Sequence, residues 1–262
     1  MNKDIKDHML RNLANGTRTD GRALDEYRKI EIELDFIATA EGSARVKFGD
    51  TEVIAGVKLS LEKPYPDTPD QGTLMVGAEL LPLSNPSYES GPPDVSSIEI
   101  ARVIDRGIRE SHAIDTKQLC IKAGEQAWSV MVDVCPINMD GNMFDVGALA
   151  AMLALTTAKF PGINDQGKAD YHVKTDKKLP LQHVPISATI LKVGNKIIID
   201  PTEEEEKVMD ARLTVDIRED GKICALQKGG DAPFTAEELA LVLGLAERKA
   251  AELRRVFDEA RR

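Results

Sequence analysis

The chain has 262 residues, 42% of them hydrophobic and 30% charged, and its formal net charge at pH 7 is −10. A chain of this length can bury enough surface to fold without a metal, and its three widely spaced cysteines exclude a disulfide framework. The negative charge excludes a general nucleic-acid coat, although a local group of arginines could still bind phosphates. No apolar stretch reaches the roughly 20 residues that cross a bilayer. The first ten residues lack the apolar core of a signal peptide, so we expect a cytoplasmic protein with no membrane partner.

The first part of the chain begins with a short helix and continues in strands. Ile5, Met9 and Leu13 are four residues apart and Asn15-Gly16 follows them, which predicts an amphipathic helix with a C-terminal stop. Alternating residues predict a strand at 30–36 and a hairpin at 44–61 that turns at Gly49-Asp50. Extended structure resumes at 72–83. Residues 85–94, NPSYESGPPD, then form a long irregular connection, which in a compact domain is more often functional than idle.

The helix after this connection carries a group of arginines. Ser96 and Glu99 have the spacing of a capping box and predict a helix from about 97 to 111. Its predicted buried stripe consists of Ile98, Ala101, Ile104 and Ile108. At 100° per residue, another face carries Arg102, Arg106 and Arg109. These arginines could grip consecutive phosphates or could pair along the helix, as the order of Asp105 and Arg109 favours, and spacing alone leaves both open.

The remaining chain repeats the order of strands followed by a helix. Strands are predicted at 118–120 and 128–134, and after a turn at 139–142 an almost entirely apolar helix, 144–160, should be central. A polar connector, 161–180, leads to strands at 184–194, 196–200, 211–218 and 222–228. Asp220-Gly221 is a hairpin turn, and Thr235 and Glu238 cap a final helix. The pattern predicts an α+β fold of two similar lobes, 1–165 and 180–262, packed side by side.

No complete active site emerges from the residues alone. The acidic run 200–206 could hold a divalent cation or a general acid, but its carboxylates also suit the first turn of a helix. Asp133, Asp140 and Asp145 surround a glycine turn where a helix N-terminus could receive an anion. Met143 and Phe144 supply neither a hydroxyl nor a cation there, which favours helix capping. The four histidines have no ligand spacing, so the residues indicate no catalytic group and no metal site.

Five segments, in order, resemble the ribonuclease PH family: RTDGR (18–22), GSARVKFGDTEVIAGVKL (42–59), SIEIARVIDRGIRES (97–111), MDGNMFDVGALAAMLAL (139–155) and IDPTEEEEKVMDARLTV (199–215). The match covers nearly the whole chain. Within it, KPYPDTPDQG, ELLPL and ESGPPD resemble the larger, non-catalytic ribonuclease PH-like subunit of the archaeal exosome. The resemblance implies a ribonuclease PH-like fold, also described as ribosomal protein S5 domain 2-like, with two lobes of β-α-β-type repeats.

The resemblance also implies an assembly. Three heterodimers with a catalytic ribonuclease PH-like paralogue would close a hexameric ring that works with RNA-binding cap subunits. Single-stranded RNA would enter the channel and be degraded from its 3′ end by inorganic phosphate with the help of magnesium. Arginines on the helix after ESGPPD would project toward the partner's active site and bind RNA. The candidates for RNA binding are Arg102, Arg106 and Arg109.

Relative to the catalytic members, this sequence departs at two places. Those members have Gly-Thr-Arg or Gly-Ser-Arg after the aspartate-glycine turn to hold the attacking phosphate, and here Met143 and Phe144 take these places. Of two spaced aspartates in those members, the first falls at Glu206 and the second at Arg212, so one acid becomes a cation. The resemblance therefore implies a subunit that is inert alone, has no cofactor of its own and leaves phosphate and magnesium to the partner's active site.

Two alternatives stay open at this point. One is a self-sufficient phosphate-dependent 3′-5′ exoribonuclease with a divergent site built from Asp140, Asp145 and Glu206. The other is a purely architectural ring subunit that makes no contact with RNA.

Overall fold

The computed structural model describes the chain from Lys3 to Arg262, and its side chains from Asp7 onward. Helix α1 (Lys3–Ala14) ends before Asn15-Gly16 as predicted. Met9 and Leu13 are buried against the four-stranded sheet formed by the second half of the chain. The side chain of Ile5, the third member of the predicted stripe, lies outside the described residues. No helix in the described part of the chain is long and apolar enough to cross a membrane.

Six strands form the first sheet: β1 (Ile30–Leu34), β2 (Gly42–Phe48), β3 (Thr51–Glu62), β4 (Thr73–Ala78), β5 (Cys120–Lys122) and β6 (Gln126–Asn138). Their order across the sheet is β1-β2-β3-β6-β4, and β5 also pairs with β6. β4 runs parallel to β6, and the other neighbours are antiparallel. The predicted hairpin at Gly49-Asp50 is confirmed, since Phe48 of β2 lies opposite Thr51 of β3.

Helix α3 lies at the centre of the molecule. Helix α2 (Val95–Glu110) contacts β4, while α3 (Met143–Thr157) packs against β2, β3 and β6. Every residue of α3 from Met143 to Thr156 is buried, which confirms the prediction of a helix that is apolar almost all round. A hairpin of β7 (Lys159–Ile163) and β8 (Ala169–Lys178) follows.

The second sheet contains β9 (Ile186–Val193), β10 (Lys196–Ile199), β11 (Ala211–Ile217) and β12 (Ile223–Gly229), all antiparallel, in the order β10-β9-β11-β12. Helix α4 (Glu203–Glu206) joins β10 to β11, and α5 (Ala236–Ala260) packs on β9 and begins with the predicted capping box of Thr235 and Glu238. Because α3 also contacts β9, one core runs through both sheets. The predicted α+β fold is confirmed, and the two lobe ranges, 1–165 and 180–262, stay predictions.

The predicted start of α2 is wrong, and its predicted buried face is wrong at Ile98, whereas Ile104 and Ile108 are buried as predicted. The N-cap is Asp94 and not Ser96, because the Asp94 Oδ1 accepts a hydrogen bond from the backbone N–H of Ser97 at 2.7 Å. Ile98 is 48% exposed. The buried face consists of Ser97, Ile100, Val103, Ile104, Gly107 and Ile108. Ile98 and Ile104 are six residues apart, which places them about 120° apart around the helix, so they do not share one narrow stripe.

Two further predictions are corrected by the structure. Residues 118–120 are predicted as a strand, but Thr116–Leu119 form a 3₁₀ turn and β5 begins only at Cys120. The predicted polar connector at 161–180 contains most of the β7–β8 hairpin instead. Most side chains of β8 are exposed on both faces, so the sequence has no apolar alternation that would reveal the strand.

Candidate functional site

The solvent-facing side of α2 presents two of the predicted phosphate ligands. Arg102 is exposed, and its guanidinium has no ion pair or hydrogen bond with any residue that the structure describes. Arg106 is also exposed, and its Nη1 lies 3.5 Å from the Oε1 of Gln227 on β12, at the outer limit of a hydrogen bond. Residues four apart on a helix are surface neighbours, so the two cations lie side by side and remain available for an anionic ligand.

The third candidate, Arg109, is engaged within the protein. Its Nε and Nη2 donate to the two carboxylate oxygens of Asp105 at 3.0 and 2.7 Å, and Nη2 also donates to the carbonyl of Leu74 at 3.0 Å. The hydrogen bond to Asp105 raises the pKa of Arg109 above its usual value. The intrahelical pairing that the sequence left open is therefore present at Arg109, and binding RNA there would require this fork to open or be shared.

The turn before α3 is tied to the second lobe by polar contacts. Asn142 has a left-handed backbone at φ +57°, its Nδ2 donates to Asp200 at 2.8 Å, and its backbone N–H donates to Glu206 at 2.9 Å. A Cβ on Gly141 would lie 2.4 Å from the carbonyl oxygen of Pro201, so the residue must be glycine. The turn thus has a fixed conformation, and its polar contacts join it to Asp200 and Glu206 within the protein.

Phe144 and Arg212 occupy the place where the resemblance locates the phosphate cradle and the second acid. The guanidinium carbon of Arg212 lies 3.8 Å from the centre of the Phe144 ring, a close cation–π stack. Arg212 also pairs with Glu99 of α2. Met143 is buried in the core. The side chains at the turn are thus the thioether of Met143 and the ring of Phe144. The positive charge of the adjacent Arg212 is balanced by the carboxylate of Glu99.

The three carboxyl groups of the self-sufficient alternative have different environments. Burial raises the pKa of Asp145 to about 7, and this side chain is sealed in the core, where it has no access to a substrate. Burial also raises the pKa of Glu206 to about 7, partly offset by the hydrogen bond from the Asn142 N–H. Burial raises the pKa of the more open Asp140, and the charge of Arg28 partly offsets it. Asp145 therefore cannot join the other two in one open catalytic site.

A network that sequence reasoning missed holds the acidic run in place. Asp200 pairs with Arg28 and Arg22 at 2.8 and 2.9 Å, and Glu205 receives two hydrogen bonds from Arg18. Burial alone would raise the pKa of Asp200, but the hydrogen bonds and charge of Arg28, together with the hydrogen bond from Asn142, outweigh burial and hold this pKa below its usual value. The rest of the run begins α4 with a capping box, as one of the two interpretations of the sequence expected. In residues 7–262, no group of His, Cys, Asp and Glu side chains could hold a metal ion.

Trp128 and His183 lie outside this region. Trp128 is buried and packs against Phe160 with ring centres 5.2 Å apart, so it is a core residue. His183 pairs with Glu219 on the surface.

Comparison with known proteins gives consistent matches along the chain. The model of the 3′ exoribonuclease family matches in two parts, domain 1 at residues 26–161 and domain 2 at residues 183–249. Over 258 residues the chain is 46% identical to exosome complex component Rrp42 of Thermococcus gammatolerans, covering 98% of this chain and 94% of that protein. Over 257 residues it is 45% identical to Rrp42 of Archaeoglobus fulgidus, covering 98% and 97%.

Solved structures agree with these matches. A chain in the structure of the Archaeoglobus fulgidus exosome with RNA bound to the active site superposes with a TM-score of 0.90 at 44% identity, covering 97% of this chain and 98% of that one. A chain of an archaeal exosome core gives a TM-score of 0.86 at 42% identity, covering 97% and 96%. The chain therefore has the ribonuclease PH-like fold and belongs to the 3′ exoribonuclease family, as its motifs indicated.

Proposed function

We propose that the chain is a non-catalytic subunit of an exosome ring that degrades RNA from its 3′ end with phosphate. It pairs with a catalytic ribonuclease PH-like paralogue, and three such heterodimers form the ring, on which RNA-binding cap subunits sit. Two observations support this proposal. The relatives that the chain matches over nearly their whole length are exosome components, and one structural neighbour comes from an exosome with RNA bound to its active site.

The observation that carries the non-catalytic role is the stack of Phe144 and Arg212. An attacking phosphate needs donors that converge on its oxygens, and a benzyl ring offers none. A general acid at the second position is replaced by a guanidinium that is held between the ring and Glu99. Loss of the anion cradle and of one acid each costs about 10²-fold or more in rate, so the isolated chain is expected to be inert.

Magnesium and phosphate, which the resemblance implies for the ring, do not fit the residues of this chain. The oxygens of Asp200 and Glu205 that a cation would need already accept hydrogen bonds from three arginines. Asp145 is 1% exposed, so its carboxyl group is closed to an ion from solvent. Both ions are therefore assigned to the active site of the catalytic paralogue.

The contribution of this chain to RNA binding rests on Arg102 and Arg106. A protein with a net charge of −10 needs a local group of cations to hold a polyanion, and these two guanidinia are exposed and loosely held. They distinguish the proposal from a purely architectural subunit, in which exposed arginines on one helix face would have no ligand.

Mixing the two subunits tests the proposal. The isolated chain is expected to release no nucleoside diphosphate from poly(A) with phosphate and magnesium, whereas the assembled ring releases it. Substituting Arg102→Glu in the ring is expected to weaken RNA binding, while Arg255→Glu, which reverses the charge of an exposed arginine on α5, serves as the matched control. Phosphorolysis by the isolated chain would contradict the non-catalytic role. Unchanged RNA binding by the Arg102→Glu ring would support the architectural alternative.

A further inference from the structure

A buried carboxyl group lies under the C-terminal half of α2. Asp216 of β11 is 2% exposed, and its Oδ1 accepts a hydrogen bond from the Oγ of Ser187 on β9 at 2.5 Å. A Cβ on Gly107 of α2 would lie 3.0 Å from this Oδ1 and 3.1 Å from the Cγ, so a side chain there would crowd the carboxyl group. The glycine lets the backbone of α2 lie directly on Asp216.

Arg106 is the charged residue next to this contact. It precedes Gly107 in the chain, and its Nη1 lies 3.5 Å from the Oε1 of Gln227 on β12. Asp216 lies opposite Ala225 of β12, two residues before Gln227. Residues opposite each other in a sheet, and residues two apart on one strand, point to the same face. Gln227 therefore holds the guanidinium over the face from which Asp216 projects.

The charge of Arg106 acts on Asp216. Burial raises the pKa of Asp216 to about 6, and the hydrogen bond from Ser187 and the charge of Arg106 partly offset burial. On the third side, the Sγ of Cys224 on β12 donates to the backbone carbonyl of Asp216 at 3.2 Å. Burial raises the pKa of Cys224 to about 11, so this thiol stays neutral near pH 7. Of these groups, only the carboxyl group of Asp216 changes its charge between pH 5 and pH 8.

A phosphate that binds Arg106 competes with Asp216 for one positive charge. When the carboxyl group is ionised, the guanidinium loses part of this attraction as it turns to the phosphate, and two anions then lie near one cation. When the carboxyl group is protonated, neither cost arises. Because linkage is reciprocal, a phosphate at Arg106 also favours the protonated form of Asp216.

We propose that Asp216 is a positioning residue for Arg106, and that the charge of its carboxyl group sets how strongly Arg106 binds a phosphate of RNA. This inference rests on the proposed function and deepens it, because it assigns control of the RNA contact to a buried residue that RNA does not touch. Arg102 lies four residues earlier, about 6 Å further from Gly107 along the helix, and is the internal reference.

The test measures RNA affinity of the assembled ring as a function of pH. Fluorescence anisotropy with labelled poly(A) at constant salt, from pH 5 to pH 8, compares the wild type with Asp216→Asn, which keeps the shape of the side chain but cannot ionise. The same pair is compared in an Arg106→Gln and in an Arg102→Gln background. Ser187→Ala is a further variant, because it removes a hydrogen bond that favours the ionised carboxylate. Circular dichroism of each isolated variant verifies folding, and all other titrating groups are common to each pair.

We expect Asp216→Asn to bind RNA like the wild type at pH 5 and on the order of fivefold more tightly at pH 8. The difference should grow as the pH rises through about 6, where the wild-type carboxyl group ionises. Ser187→Ala should move the wild-type transition to higher pH. The effect of Asp216→Asn should remain in the Arg102→Gln background and vanish in the Arg106→Gln background.

Two results overturn the inference while the proposed function stands. One is an Asp216→Asn ring with the affinity of the wild type at every pH. The other is a change in affinity that is constant from pH 5 to pH 8 or that persists without Arg106, as a purely structural role would give. An Arg106→Gln ring that binds RNA like the wild type overturns the proposed RNA contact of Arg106, and the inference with it.

Discussion

Asp145 provides a stability test with a defined dependence on pH. It lies in the first turn of α3, is 1% exposed, and neither carboxylate oxygen has a hydrogen bond of standard geometry with the described residues. Burial raises its pKa from the usual 3.8 to about 7; nearby Thr189 and Asn142 partly offset this effect, and the charge of Asp200 adds to it. The neutral acid is therefore the form that fits the core.

The sign of the effect follows from proton binding. Between about pH 4 and pH 7 the folded protein keeps the proton that the unfolded chain releases, so stability falls as the pH rises through this range. The difference between 3.8 and about 7 corresponds to a loss of about 4 kcal/mol, complete above the folded pKa. Asp145→Asn keeps the shape of the side chain but cannot ionise. The variant should therefore gain stability relative to the wild type as the pH rises, by up to about 4 kcal/mol.

Urea unfolding at pH 5, 6, 7 and 8, followed by the fluorescence of the single tryptophan, Trp128, measures this difference. Glu206 and Asp216, whose pKa values burial raises to about 7 and about 6, titrate in both proteins, so their contributions cancel in the comparison. Any cost of fitting the amide into the core is independent of pH. A difference between variant and wild type that stays constant from pH 5 to pH 8, or that shrinks with rising pH, would refute the reasoning.

Three other predictions address RNA binding, the fold and catalysis. In the assembled ring, Arg102→Ala should reduce the slope of log affinity against log salt by about 1, and Arg109→Ala should reduce it less, because Asp105 already pairs with Arg109; salt titrations of RNA binding by fluorescence anisotropy check this. Glu205→Gln leaves Arg18 buried without its counter-charge and should cost about 3–5 kcal/mol in urea unfolding, and a loss below about 1 kcal/mol would contradict the assigned role of the pair. Replacing Phe144→Arg in the isolated chain should not produce phosphorolysis, since Arg212 still stands in place of an acid; nucleoside diphosphate release would show that the altered turn alone silences the chain.

Local patterns predicted the elements whose causes are local. The apolar run of α3, the Gly49-Asp50 turn and the capping box of α5 each lie within a few residues of sequence. The start of α2 shows where this stops. Asp94 and Ser96 are both good N-cap residues, and the spacing of Ser96 and Glu99 favoured Ser96, whereas the structure has Asp94 as the N-cap.

The site was predictable where the family motif specifies residue types, and unpredictable where contacts join distant segments. Met143 and Phe144 are visible as departures from a motif. The contacts of Asp200 with Arg28 and of Glu205 with Arg18 join residues 172 and 187 positions apart, and no spacing rule covers such distances. The stack of Arg212 on Phe144 is likewise a product of the packing of β11 beside α3, although each residue had been identified as unusual by itself.

The central claim is that this chain has no phosphate site of its own, and equilibrium binding of orthophosphate tests it most directly. Radiolabelled phosphate is titrated into the isolated chain, the isolated paralogue and the assembled ring in the presence of magnesium. We predict no specific binding to the isolated chain and one phosphate per heterodimer in the ring. Two phosphates per heterodimer, or saturable binding to the isolated chain that Phe144→Arg or Arg212→Ala alters, would contradict the account.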